Sequence, residues 1–244
     1  MYNIFLGEIK RYFLEIKTYY PDYIVSLVIS LILYLILFGF ETENTKYIGY
    51  IYWILASSVL SEASASISSE KQAGTIKNLI VKPYSILTIM TFRTLSWLII
   101  NFSKIVLILL ILKYVFQLNL MFNILLIPIL IITLISIYGF SLILMTLTVM
   151  YTKTASFESV ISYILLFLSG SVYSIEKMPL IIQYITNYFP LTLGIKISNH
   201  ILSGELVNLN EILILIIDSI IYLLLGYILF KKIIKNNEKY NQRY

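Results

Sequence analysis

The chain lacks cysteine, and it has one histidine and few charged residues. The absence of cysteine excludes disulfides, thiolate metal sites and cysteine nucleophiles, and His200 alone cannot build a histidine metal site. Charged residues make up 13% of the 244 residues and hydrophobic residues 59%, whereas soluble domains carry about 25% charged residues. This composition predicts a membrane protein that crosses the bilayer several times and binds no metal.

The apolar residues are grouped into runs long enough to cross a membrane. Residues 1–22 place apolar and charged residues on opposite sides of a helix, which predicts an amphipathic helix lying on the membrane surface until Pro21 breaks it. A hydrocarbon core is about 30 Å thick, and we place six spans at 23–40, 47–67, 87–116, 121–150, 157–173 and 210–230. The prediction is an all-α polytopic domain over 23–231, followed by a basic tail over 232–244.

The distribution of lysine and arginine predicts the orientation. With the N-terminus inside, six spans return the C-terminus to the same side, and only Lys46, Lys113, Lys177 and Lys196 lie in outer segments. Because basic residues accumulate in cytoplasmic loops, we expect both termini in the cytoplasm. The net charge of +5 is then explained by contact with membrane lipids, and we expect no nucleic-acid binding.

A polar, basic stretch separates the second and third predicted spans. Within residues 68–93, Ile76, Leu79 and Ile80 recur at helical spacing, and Pro83 follows them. The pattern predicts a short amphipathic helix that ends before the proline. An ordinary surface loop is the alternative, since charged runs are usually solvated faces.

The region from 173 to 211 is too apolar for a soluble loop and too interrupted for a span. Its breaks include Pro179, Pro190, Gly194 and Gly204, with Gly170 just before it. We expect short re-entrant or interfacial helices on the outer face, because unpaired backbone is not tolerated facing lipid. A loosely folded outer loop is the alternative.

Two charges, Lys104 and Asp218, fall near the middle of the third and sixth predicted spans. Ionisable residues at such depth are functional candidates. Their opposite signs predict a buried pair, within one subunit or across a dimer, and either packing or substrate contact could be its role. Glu62 lies near the inner end of the second span, and we expect its side chain to reach the cytoplasm.

The second span itself is unusual in composition. It carries a run of small residues from Ala56 to Ser66, which permit close helix packing or line a polar path. Its outer end holds Tyr47, Tyr50, Tyr52 and Trp53. We expect these aromatic residues to form an interfacial belt.

Two stretches carry a family resemblance. EKQAGTIKNLIVKPYS (70–85) resembles the cytoplasmic segment of type-2 ATP-binding-cassette (ABC) exporter permeases, with an acidic residue, a Gly-Thr pair and a proline-containing end. LSGSVYSIEKMPLIIQYITNYFPLTLGIKISNHILSG (168–204) resembles the last outer region of the same family, with its Ser-Gly, Met-Pro and Phe-Pro-Leu-Thr elements. Together with six spans and an N-terminal interfacial helix, the resemblance covers essentially the whole chain.

The resemblance implies a permease half that pairs with a second copy or a relative and rests on two ATPase subunits. Residues 70–81 would form the coupling helix that contacts the ATPase, and the candidate coupling residues are Glu70, Gly74, Thr75, Ile76, Lys77, Leu79 and Pro83. The chain contains no GxxxxGK[ST] phosphate-binding loop. We therefore expect no enzyme activity and no cofactor on this chain, with ATP and Mg²⁺ bound by the partner ATPase.

The resemblance also implies a location in the cell membrane and export of a substrate. The small size and the lack of a large outer domain favour an amphipathic small molecule, a drug or an antimicrobial peptide. A polysaccharide or teichoic-acid precursor, or a lipid, is the alternative within the class. From a different class, a proton-coupled secondary transporter would use Lys104 and Asp218 and need no ATPase.

Overall fold

The computed structural model describes residues 2–39, 46–75, 78–79, 83–118, 120–151, 154–172, 175 and 178–241. Within these ranges the regular structure is α-helical, with no strand. The helices described are α1 (Tyr2–Thr18), α2 (Tyr20–Phe38), α3 (Lys46–Gln72), α4 (Ile86–Tyr114), α5 (Leu126–Met150), α6 (Ala155–Leu168), α7 (Leu180–Asn187), α8 (Pro190–Ser203) and α9 (Leu209–Asn241).

Local sequence explains where several helices begin and end. Pro21 lies in the first turn of α2, where a missing backbone N–H costs nothing, so it starts a new helix after α1. Ser85 caps α4, since its hydroxyl accepts a hydrogen bond from the Thr88 N–H at 3.2 Å. Gly204 ends α8 with a left-handed backbone, at a φ of 73°.

Helix α3 lies at the centre of the fold. It packs against α4, α5, α6 and α8, while α9 lies along α5 and α1 lies along α4. Most of its residues from Tyr47 to Ile67 are buried. Because α3 is surrounded by protein, it can carry many serines and alanines that a lipid-facing helix would not.

The number of spans remains a prediction. Among the described residues, four helical stretches are long and apolar enough to cross a membrane: Tyr20–Phe38, Ile86–Tyr114, Leu126–Met150 and Leu209–Lys235. The second predicted span corresponds to α3, which is long enough to cross a membrane but is less apolar than the four helical stretches above. The fifth corresponds to α6, whose 14 residues rise only about 21 Å at roughly 1.5 Å per residue. The chain is therefore a multi-pass helical protein in which six spans are not established.

The predicted aromatic belt is wrong. Tyr47, Tyr50, Tyr52 and Trp53 are all buried, with at most 8% of any side chain exposed. Their polar atoms form hydrogen bonds with other helices and loops. The Tyr52 hydroxyl lies 2.7 Å from the Ser198 hydroxyl, and Trp53 Nε1 donates to the Ser162 carbonyl at 2.8 Å. Tyrosine and tryptophan serve here as buried contacts with satisfied polar ends, which the sequence pattern alone cannot distinguish from a belt.

Helices α5 and α9 approach each other closely at two glycines. An added Cβ on Gly139 would lie 2.5 Å from the Leu223 nitrogen, and one on Gly226 would collide with the Gly139 carbonyl oxygen. Next to this crossing the Ser136 hydroxyl donates to the Ser219 hydroxyl at 2.7 Å. Glycine at both positions is what allows the two backbones to meet.

Two short helices, α7 and α8, occupy the region between α6 and α9. Short helices were expected here, and their place on the outer face stays a prediction. Pro179 precedes α7 as its N-cap, and Pro190 lies in the first turn of α8. Gly170 takes a φ of 78° just after α6. These three residues therefore mark helix boundaries.

Candidate functional site

The polar stretch between α3 and α4 begins on the last turn of α3. Glu70 and Lys71 belong to that helix, which runs to Gln72. At Gly74 the backbone is left-handed (φ 70°), the Gly74 N–H donates to the Lys71 carbonyl at 3.1 Å, and the Thr75 N–H donates to the Glu70 carbonyl at 2.9 Å. These bonds form a Schellman motif, which ends a helix. A single helix over 70–81 is therefore incorrect, and we call residues 73–85 the connecting segment.

Gly74→Ala is expected to lower the free energy of unfolding by about 1–2 kcal/mol, because an L-residue pays that much in the left-handed region. The loss would not come from a steric clash, since an added Cβ at Gly74 would have no atom within 4 Å. Thermal unfolding of the purified protein measures the loss. Gly39→Ala, at a φ of 62°, should cost a similar amount, while Gly7→Ala in the interior of α1 should cost nothing. Equal losses at Gly74 and Gly7 would contradict this explanation.

Arg93 joins three helices beneath the connecting segment. It lies on α4 with 5% of the residue exposed. Its Nη2 donates to Glu70 Oε1 at 2.7 Å, its Nη1 to the Ser66 hydroxyl at 3.0 Å and its Nε to Glu8 Oε1 at 3.3 Å. The planar guanidinium offers five donors, so one side chain can bind α1 and two turns of α3 together. We call Arg93, Glu8, Ser66 and Glu70 the arginine cluster.

Glu70 connects the arginine cluster to the connecting segment. One carboxylate oxygen accepts from Arg93, and the other accepts from the Thr75 hydroxyl. Thr75 is the first residue after the left-handed glycine, so the start of the segment is held by the same carboxylate that holds α4. Glu70 therefore links the start of the segment to α4 and, through Arg93, to α1.

Lys71 ties the same turn of α3 to α5. Its ammonium donates to the Val149 carbonyl at 2.7 Å and to the Thr148 carbonyl at 3.4 Å. These carbonyls belong to the last turn of α5, where a cation is favoured by the helix dipole and by unpaired acceptors. Burial lowers the pKa of Lys71 from its usual value. The adjacent Glu70 and Lys71 thus bind opposite neighbours of α3.

The middle of the connecting segment is anchored on the protein itself. Leu79 is 2% exposed and packs with Ile67, Met90 and Phe230. Its side chain is thus an internal anchor, and any contact with a partner falls to exposed neighbours such as Asn78 and Pro83. The candidates Ile76 and Lys77 lie outside the described residues.

A second polar contact joins α1 to α3. The Tyr12 hydroxyl donates to Glu62 Oε1, and the Tyr12 ring lies 5.2 Å from the Trp97 ring on α4. Burial and the nearby Glu62 carboxylate raise the pKa of Tyr12. The expectation that Glu62 reaches the cytoplasm is therefore wrong, because a partner on α1 satisfies it inside the protein.

Glu8, Tyr12 and Arg93 are not among the site residues predicted from the sequence. One signal was available for Arg93, a charge on an otherwise apolar helical face next to the predicted inner surface, whereas Glu8 lies near Arg11 on the charged side of α1. Their pairing required the packing of α1 along α4, which no local pattern encodes.

Lys104 and Asp218 do not pair with each other. Lys104 lies on α4, and its ammonium donates to the Ser26 hydroxyl on α2 at 2.7 Å. Asp218 lies on α9, and its Oδ2 is buried with no hydrogen-bond partner among the described residues. No ion pair within the described ranges joins the two, and pairing across a dimer stays a prediction.

Comparison with known proteins gives one family. Residues 4–202 match the ABC-2 type transporter family, a stretch that runs from α1 into α8 and includes the arginine cluster and the connecting segment. No curated protein matches the chain.

Proposed function

The chain belongs to the ABC-2 type transporter family, and from this premise we propose that it is the permease subunit of an ATP-driven exporter. As a member, it is a multi-pass transmembrane component of an ABC transporter. The proposed cargo is an amphipathic small molecule, a drug or an antimicrobial peptide. A polysaccharide or teichoic-acid precursor, or a lipid, is the alternative cargo for the same machinery.

The family implies association with ABC ATPase partners. We propose that two permease chains, identical or related, stand on two ATPase subunits that bind ATP and Mg²⁺. In this arrangement both termini and the connecting segment face the cytoplasm of a cell-membrane transporter. The exposed residues of the segment, with Ile76 and Lys77, would contact the ATPase.

The observation that carries the proposal is the double role of Glu70. Its carboxylate accepts from Thr75 at the start of the connecting segment and from Arg93 on α4. When ATP closes the ATPase dimer, the connecting segment moves with it as a rigid contact. Glu70 and Lys71 would transmit this displacement to α4 and α5, and Arg93 would transmit it to α1.

Co-purification tests this proposal. We expect a P-loop ATPase with ATP hydrolysis to be retained when the tagged chain is purified in mild detergent from its native host. Thr75→Val should weaken the coupling of ATP hydrolysis to transport, because it removes the hydroxyl that binds Glu70 while keeping the shape of the side chain. Glu205→Gln, at an exposed position near His200, is the matched control. A stable chain with no retained ATPase and no hydrolysis would refute the proposal.

The positions of Lys104 and Asp218 do not support the alternative function, a proton-coupled secondary transporter. Lys104 binds Ser26 on α2, while Asp218 lies on α9, a helix that packs on α5 and α8. A proton relay needs acid and base groups in a connected chain, and these two lie on helices with no extensive contact. We therefore retain the ATP-driven function.

A further inference from the structure

Two adjoining cavities open on one side of the molecule. The first, of about 440 Å³, lies where α1 meets α2, and the second, of about 530 Å³, lies between α2, α3, α4 and α6. Ser26 and Trp97 line both cavities. We call the combined cavity the groove, and it extends from the junction of α1 and α2 to Lys104 in the middle of α4.

The mouth of the groove is acidic and aromatic. Glu15 and Asp22 line the first cavity together with Tyr19 and Tyr23, and none of the basic residues of α1 is among its lining residues. In the proposed topology this mouth lies at the inner membrane surface, where amphipathic molecules accumulate. Two carboxylates beside aromatic rings favour a positively charged group.

The interior of the groove has one polar wall and one apolar wall. Serines of α3 and α6 form the polar wall, including Ser57 and Ser162, whose hydroxyls lie 2.5 Å apart. The apolar wall includes Ile29 and Leu33 of α2. A hydroxyl that donates one hydrogen bond still has acceptor lone pairs. The groove is therefore amphipathic along its length, and its polar wall is rich in acceptors.

The two charges inside the groove are already bound to the protein. The Lys104 ammonium donates to Ser26, and Glu158 Oε1 accepts from the Thr154 hydroxyl. Neither charge needs a ligand to satisfy it. The inner cavity therefore pairs one positive with one negative group, whereas the first cavity has two carboxylates and no lysine or arginine among its described lining residues, so a cationic group is favoured at the mouth.

We propose that the groove binds a cationic amphipath, with its positive head group between Glu15, Asp22 and the Trp97 ring and its tail along the apolar wall of α2. The inference rests on the proposed function, because it names the substrate class of that exporter. It adds that a bare anion or an anionic amphipath is not a cargo, since the mouth presents two carboxylates to it.

The two tryptophans of the chain provide the test. Trp53 and Trp97 both line the groove, so intrinsic fluorescence reports its occupancy without a label. The full chain in neutral-lipid nanodiscs is titrated with brominated dodecyltrimethylammonium, whose bromine quenches indole, and with brominated dodecyl sulfate as the anionic match. We expect the cation to quench the fluorescence in a saturable way, and unbrominated dodecyltrimethylammonium to reverse this quenching. The anion should bind about tenfold more weakly, which is the equivalent of one well-placed charge interaction.

Variants locate the binding. Glu15→Gln combined with Asp22→Asn should weaken cation binding by about tenfold, while Glu205→Gln should leave it unchanged. With the bromine at the far end of the dodecyl tail, Trp53→Phe should remove more of the quenching than Trp97→Phe, because Trp53 lines the inner cavity where the tail is placed. Non-saturable quenching that is equal for the two head groups would overturn the proposal, since it would report partition into lipid alone. Absence of quenching by either compound would also overturn it, as expected if a second copy covers the groove.

These results are independent of the proposed function. Retention of the ATPase depends on the connecting segment and should be unchanged in the Glu15 and Asp22 variants. If the parent chain retains an ATPase and the head groups are not distinguished, the export function stands and the substrate class fails. If no ATPase is retained, the export function fails whatever binds in the groove.

Discussion

Arg93→Met is expected to lower the free energy of unfolding by about 3–5 kcal/mol, the usual cost of removing one partner from a buried ion pair. The variant keeps a long apolar side chain of similar reach, so the loss is mainly electrostatic. It leaves Glu8 and Glu70 without their shared cation in a region where the side chains are 13% and 16% exposed. Thermal unfolding in detergent, followed by circular dichroism, measures the effect.

The control for Arg93→Met is Arg11→Met. Arg11 also pairs with Glu8, at 3.2 Å, but 43% of its side chain is exposed, and an exposed pair contributes at most about 1 kcal/mol. Adding Glu8→Gln and Glu70→Gln to Arg93→Met should recover part of the stability, because neutral amides remove the unpaired buried charge. A triple variant less stable than Arg93→Met alone would show that the arginine acts through packing.

The arginine cluster and Lys71 connect the last turn of α3 to three neighbouring helices. Glu70 and Lys71 are consecutive, so their side chains leave α3 about 100° apart, and each reaches a different neighbouring helix. The carboxylate holds α4 and, through Arg93, α1, while the ammonium holds the end of α5. The last turn of α3 is thus a common support of α1, α4 and α5.

The sequence alone predicted the elements whose signals are local. The long apolar runs corresponding to α2, α4, α5 and α9 stand out by length and hydropathy, and Pro21, Pro179 and Pro190 mark helix starts where they were expected to break the chain. These predictions succeed because membrane solvation and proline geometry act on neighbouring residues. A helix is also found at the N-terminus, where α1 exposes Phe13 and Leu14, and its place on the membrane surface stays a prediction.

The elements that the sequence misassigned depend on packing between distant helices. Whether Tyr50 lies in a membrane belt or in the core depends on which helices surround α3. Tyr50 lies in the core, where its hydroxyl donates a hydrogen bond to the Ser30 carbonyl of α2. Likewise, the partner of Glu62 is Tyr12, fifty residues away in sequence. The extension of α3 through Glu70 was missed because the helix-ending signal, Gly74, was read as part of the partner contact.

Gly139→Leu should separate α5 from α9, with a loss of about 3 kcal/mol or more, because overpacking against backbone cannot be relieved by a rotamer change. An added Cβ would lie 2.5 Å from the Leu223 nitrogen and 2.7 Å from its Cα. The two helices must move apart, and the hydrogen bond between Ser136 and Ser219 should be lost with them. Gly7→Leu is the matched control, since nothing lies within 4 Å of a Cβ there.

Cross-linking detects this separation directly, because the chain has no native cysteine. In a Ser136→Cys, Ser219→Cys background, oxidation should join α5 to α9, since the two hydroxyls lie 2.7 Å apart. We expect the cross-link to form in the parent and with Gly7→Leu, and to fall sharply with Gly139→Leu. If it formed equally with Gly139→Leu, the two glycines would not be setting the distance between these helices. In that case the packing of α9 would depend on its other contact, with α8, where Lys196 binds Glu211 at 2.7 Å.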